Sequence, residues 1–207
     1  MSDPTVPTAT EPGIDSAPRA SRLLNTTDLA LVAAFAALIA ALAFIGAIPV
    51  GGAGVPITLQ TLGVALAGAI LGPLRGSLAV LLYLAMGAIG LPVFAEHSAG
   101  LGAFTGVSAG YLLAFPLAAA LIGYLVKYVL RDRRTSAFWV FLAIAAGSVL
   151  VVHPAGIAWM TFHQDVPWAV AASWDLPFWL GDLVKTAIAA IIAAEVHRAF
   201  PALLKRA

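Results

Sequence analysis

Residues 177–196 read PFWLGDLVKTAIAAIIAAEV. A hydrocarbon core of about 30 Å takes roughly 20 apolar residues of helix to cross, and this stretch supplies them. It nevertheless holds Asp182 and Lys185, three apart and so on one face of a helix. Each charge costs about 2.5–3.5 kcal/mol at a helix centre on insertion scales. Counted from Pro177 at roughly 1.5 Å per residue, Lys185 lies about 12 Å into the helix, in the outer half of the bilayer. Either the two charges only neutralise each other, or they form the polar floor of a pocket open to the outside. Ionisable groups within spans usually mark ligand or ion paths, which favours the pocket.

The rest of the chain agrees that lipid is its main solvent. Of 207 residues, 61% are hydrophobic and only 10% charged, with a mean hydropathy of +0.98; a soluble domain carries about a quarter charged residues. There is no cysteine, which excludes disulfides and thiolate metal sites. Six apolar segments are candidate spans, at 28–48, 57–72, 74–91, 108–130, 137–160 and 177–199, the second of them short and closed by Gly72 and Pro73. The predicted fold is an all-α integral membrane protein of six helices occupying 28–200, with a short basic C-terminus at 201–207. Residues 1–27, rich in Pro, Ser and Thr, bury too little apolar surface to offset ordering and are expected to be a disordered cytoplasmic tail. That tail lacks the layout of a secretory signal, so the first apolar segment is expected to remain as a span.

Charge gives an independent check on topology. With both termini inside, Arg19, Arg22, Arg75, Lys127, Arg131, Arg133, Arg134, Arg198, Lys205 and Arg206 are all cytoplasmic. The outer connections at 49–56, 92–107 and 161–176 hold no Lys or Arg, only Glu96, Asp165 and Asp175. This is the positive-inside bias. Of the eleven basic residues, Lys185 alone falls within the membrane.

Other polar groups converge at the same depth. Thr58 and Gln60 lie in GGAGVPITLQTLG, residues 51–63, an irregular opening to the second helix that a membrane tolerates only where it lines protein or water. His153 lies within the fifth segment, read equally well as a satisfied core residue or as a ligand contact. Tyr83 is the aromatic least like an interfacial belt residue, and Tyr111 opens the fourth segment. The stretch between the third and fourth segments is long enough to form a lid. Ala33, Ala37 and Ala41 form a small-residue stripe on the first helix, suited either to packing within the bundle or to docking another membrane protein. No GxxxxGK[ST] or HExxH is present, and no GxSxG elbow. No metal, cofactor or nucleic-acid partner is therefore expected. An intramembrane enzyme using His153, Asp182 and Lys185 as acid–base groups is the competing reading from a different class.

VPITLQTLGVALAGAILGPLRG, LYLAMGAIGLPVFA, GVSAGYLLAFPLAA and LPFWLGDLVKTAIAA together resemble the BioY family, the biotin-capturing S components of energy-coupling-factor (ECF) transporters. The resemblance extends over roughly 30–200. It implies a bacterial cytoplasmic-membrane subunit that takes biotin from the outer face, works with a transmembrane coupling subunit and ABC-type ATPases, and is not itself an enzyme. An S component for another small vitamin is the alternative. The resemblance makes Asp182 and Lys185 ligand contacts, with residues near FAEHSAG alongside, and makes the Ala33, Ala37 and Ala41 stripe a docking surface. The biotin ureido ring offers two N–H donors and one acceptor, which Asp182 and Lys185 complement, and its thioether ring suits an aromatic such as Tyr83. The valerate carboxylate is left to His97, backbone amides, a serine or Lys185. The chain departs from the family pattern at Val107, Ser108 and Ala109, where GPTGGYL is usual, and at His153, near which a Tyr is common.

Overall fold

The computed structural model describes residues 24–45, 47–48 and 54–204. Most of the expected disordered tail, residues 1–23, and residues 205–207 lie outside them. Six long helices are described: α1 (Thr26–Phe44), α2 (Gln60–Leu71), α3 (Pro73–Ala88), α4 (Ala109–Val129), α5 (Ala137–Gln164) and α6 (Trp168–Ala199). The expected number of helices holds, but their lengths differ. By length and composition α1, α4, α5 and α6 are fit to cross a membrane, whereas α2 and α3 have 12 and 16 residues. At 1.5 Å per residue α2 spans about 18 Å, well short of the hydrocarbon core. The chain before it is extended, pinned by an antiparallel bridge between Ile48 and Ile57 with both hydrogen bonds at 2.9 Å. Thus α2 begins inside the molecule.

Helix α1 starts with a capping box. The Asn25 side chain accepts from the Asp28 N–H at 2.9 Å and the Asp28 carboxylate accepts from the Asn25 N–H at 3.0 Å, satisfying two donors that a helix start leaves open. Its buried positions are Asp28, Val32, Ala36, Ile39 and Ala43, a stripe at helical spacing. Ala33, Ala37 and Ala41 lie on the opposite, exposed face.

Helix α2 is the axis of the bundle. It is buried from Gly63 through Leu71 and packs against α1, α3, α4 and α6. Small residues allow this: a Cβ on Gly68 would sit 2.6 Å from the Ala119 carbonyl of α4, and one on Gly76 of α3 would sit 2.8 Å from the Ala67 carbonyl. The turn from α2 to α3 passes through Gly72 at φ +83°, a left-handed conformation that suits glycine, and Pro73 then opens α3.

Helix α6 departs most from expectation. Pro177 looks like the first residue of a helix, a position proline favours, but the helix starts at Trp168 after Pro167 and carries Pro177 inside it. The connection expected over 161–176 shrinks to a few residues around Asp165, whose φ of 51° ends α5 in the left-handed region. Asp175 is therefore not an outer-loop residue; it lies in α6 and is 0% exposed. Lys185 is about 25 Å from the start of a helix about 48 Å long, close to its midpoint.

In α5 a π turn over Ser148–Val152 immediately precedes His153 and Pro154. Pro154 has no N–H to give the carbonyl four residues back, and a π turn is one way a helix absorbs such a break.

The basic segments gather at one end of the bundle. Arg75, 2% exposed, pairs with Asp28 at 2.9 Å and donates to the carbonyls of Leu71 and Leu203. Arg134 donates to the Pro201 carbonyl, and Arg198 to that of Thr135. The start of α1, the α2–α3 turn, the α4–α5 loop and the chain after α6 thus meet on one side, as alternation of six helices requires.

Candidate functional site

At the other side, the start of α2, the loop before α4 and the middle of α6 surround a cavity of about 110 Å³. Its polar lining includes Thr58, Gln60, Thr61, Asp182 and Lys185; Phe94, Leu112, Phe115, Val152 and Phe178 supply apolar wall. Ser98 and Ser108 also line it, from the α3–α4 loop and the start of α4.

The floor is a closed set of hydrogen bonds. Lys185 Nζ lies 2.5 Å from Asp182 Oδ1, donates to the Thr58 carbonyl at 2.9 Å and to Thr61 Oγ1 at 3.0 Å. Thr61 Oγ1 in turn donates to Asp182 Oδ1 at 3.0 Å. An ammonium has three N–H donors, and these three oxygens accept them. Lys185 and Asp182 are 7% and 8% exposed, so each charge depends on the other in a poorly solvated setting. The extended chain before α2 matters here, because it leaves the Thr58 carbonyl outside any helical ladder and turned to the ammonium. The α2 N-terminus, the positive end of its dipole, favours a carboxylate beside Thr61.

Behind the floor runs a second buried chain. Asp175 accepts from Tyr111 Oη and from Trp179 Nε1, both at 2.7 Å. His153 Nδ1 lies 2.8 Å from one Asp175 oxygen and 3.0 Å from the other, and Nε2 lies 3.5 Å from Asp182 Oδ2. The imidazole stacks on Trp179 with ring centres 4.7 Å apart. A third chain holds Gln60. Its Nε2 donates to Tyr83 Oη, its Oε1 accepts from Thr58 Oγ1, and Tyr83 donates onward to the Val93 carbonyl at 3.2 Å.

The structure therefore divides the residues expected from sequence. Asp182, Lys185, Thr58, Gln60 and Tyr111 line the cavity. Tyr83 is fully buried behind it, its ring covered edge-on by Phe94, which takes the wall position expected of Tyr83. His153 is also behind the wall, between the two aspartates. His97 is exposed, at φ +60°, with its ring against Phe44 of α1, 4.2 Å between centres. Thr61 on the floor and Asp175 in the layer behind it are residues that the sequence alone does not single out. Thr61 lies in the first turn of α2, and its place beside Lys185 and Asp182 depends on the extended chain that ends at the helix start, Gln60. Asp175 precedes Asp182 by two turns, a relation visible only once the helix continues back through Pro177.

The α3–α4 loop covers the cavity. Phe94 is 2% exposed and packs edge-on against Phe104, and the Gly100 N–H donates to the Gly87 carbonyl at 2.7 Å.

A helical membrane bundle with a buried charged floor, apolar walls and a covering loop is a solute-binding membrane protein. Residues 16–202 match the BioY family model, and the chain belongs to the BioY family. It is 42% identical over 188 residues to a protein named biotin transporter BioY from Rhodobacter capsulatus, covering 86% of this chain and 96% of that one. It is 35% identical over 187 residues to the biotin transporter BioY of Rhizobium etli, covering 89% of this chain and all of that one. Among solved structures it resembles the S-component for biotin from an ECF-type ABC transporter, with a TM-score of 0.79 and 31% identity over 83% of this chain and 91% of that one.

Proposed function

We propose that this chain captures biotin from the outer side of the bacterial cytoplasmic membrane and imports it as the S component of an ECF-type transporter. The observation that carries the reading is the Asp182–Lys185–Thr61 floor beneath apolar walls. The ureido ring goes to that floor, its N–H groups toward Asp182, and the thioether ring lies between Phe94, Phe115 and Phe178. The valerate carboxylate points to the covering loop, where Ser98 and Ser108 line the cavity. Family membership and the names of the relatives support biotin as the solute. The end rich in Arg and Lys is cytoplasmic by the positive-inside rule, which opens the cavity outward. ATP hydrolysis belongs to partner ATPases, reached through a transmembrane coupling subunit.

The test is equilibrium binding of labelled biotin to the purified chain. Saturable binding that unlabelled biotin displaces and thiamine or riboflavin does not is the expected result, with Asp182→Asn weakening it at least tenfold, as loss of a charged hydrogen-bond acceptor does. Displacement by another vitamin in place of biotin would reassign the solute; parent-like binding by Asp182→Asn would move it off this floor.

A further inference from the structure

Asp182 divides its two oxygens. Oδ1 is held by Lys185 and Thr61 at 2.5 and 3.0 Å. Oδ2 faces His153 Nε2 at 3.5 Å, beyond the usual range of a full hydrogen bond. That contact leaves Oδ2 without a full hydrogen-bond partner on a residue that lines the cavity.

The imidazole is itself fixed on three sides. Nδ1 meets both oxygens of Asp175, the ring stacks on Trp179, and Asp175 is in turn tied to Tyr111 of α4 and to the Trp179 N–H. Asp175 and Asp182 are two turns apart on α6 and His153 reaches between them from α5, just after the π turn. An N–H on either ring nitrogen donates to the carboxylate beside it. Neither His153 nor Asp175 lines the cavity.

We propose that His153 is a positioning residue. Clamped by Asp175, it fixes the Asp182 carboxylate so that Oδ2 is presented to the solute, and affinity depends on two groups that never touch it. This rests on the reading of Asp182 as a biotin contact.

The two ring nitrogens can be tested apart. In His153→Gln the amide nitrogen reaches the place of Nε2; in His153→Asn it reaches only that of Nδ1. Biotin titrations and thermal unfolding are measured on the full-length parent and on both variants. His153→Gln is expected to keep the parent dissociation constant within about threefold, and His153→Asn, which removes the group facing Oδ2, to raise it about tenfold or more. Asp175→Asn, which loosens the Nδ1 clamp that His153→Gln also lacks, is expected to weaken binding about as His153→Gln does, by up to about threefold, although it alters no cavity residue. Equal affinity for the two His153 variants, or losses in both that only track their unfolding temperatures, would overturn the proposal. Should the parent bind no biotin, the reading of the floor fails, and a ligand-free cycle then decides the positioning role. Unfolding-temperature losses of His153→Asn and Asp182→Asn that fall short of additivity in the double variant support coupling; strict additivity rejects it.

Discussion

Lys185 spends its donors on the Thr58 carbonyl, Thr61 Oγ1 and Asp182, so it acts first as the counter-charge that lets a carboxylate exist at this depth. Breaking a buried pair by removing one member costs about 3–5 kcal/mol, because the other charge is stranded, whereas replacing both is far milder. Lys185→Met is therefore expected to lower the unfolding temperature of the detergent-purified chain more than the double change Asp182→Asn with Lys185→Met. Both are expected to lose biotin binding. A single variant as stable as the double would mean that the pair is not electrostatically coupled. A scaffold role and a binding role separate here as well, since only the binding role predicts that the better-folded double variant is still inactive. The acid and base are legible from sequence because charges inside an apolar stretch stand out against their surroundings. Thr61 is not, because a hydroxyl carries no such contrast and its role depends on where α2 begins. Tyr83 and His153 are legible as buried polar groups, but burial alone does not distinguish the wall of a cavity from the layer behind it.

Among the elements, α2 is the one that every neighbour must approach, and glycine sets how closely. A Cβ at Gly68 would stand 2.6 Å from the Ala119 carbonyl, a backbone atom that cannot swing aside. Gly68→Ala is thus expected to destabilise the bundle by about 1–3 kcal/mol, the range for overpacking. Gly102→Ala serves as the control, since a Cβ there meets no atom within 4 Å. Differential scanning calorimetry of the two variants checks this; equal unfolding temperatures would show that α2 and α4 can separate freely. The number and order of helices are readable from apolar length, a signal lipid imposes strongly. Helix ends are less so. Pro177 has the sequence character of a helix start, yet a membrane helix tolerates an internal proline when neighbours re-satisfy the freed groups. That one boundary hides Asp175, and with it the layer that orients the floor. The late start of α2 is hidden for a related reason: Thr58 and Leu59 continue the run of the helix in sequence, while the helix itself starts only at Gln60.

For the whole molecule, the two ends have different work. The basic end is locked by Arg75, which ties α1 through Asp28, α2 through Leu71 and the chain after α6 through Leu203. The opposite end carries the cavity and its covering loop. Between them α1 turns Ala36 and Ala43 inward and leaves Ala33, Ala37 and Ala41 exposed. The stripe Ala33, Ala37 and Ala41 thus lies wholly on the outward face, where it can meet another helix. Small residues let helix backbones approach closely in lipid, where packing rather than hydrophobicity drives association. If this face meets the coupling subunit, a large side chain there separates solute capture from transport. Ala37→Trp is expected to leave the biotin dissociation constant within about twofold of the parent, because a change remote from the floor adds independently. The same variant is expected to lose co-purification with the coupling subunit and biotin uptake by cells. Uptake at the parental rate would place the docking surface elsewhere on the molecule. Loss of binding together with uptake would instead mean that α1 helps to shape the cavity.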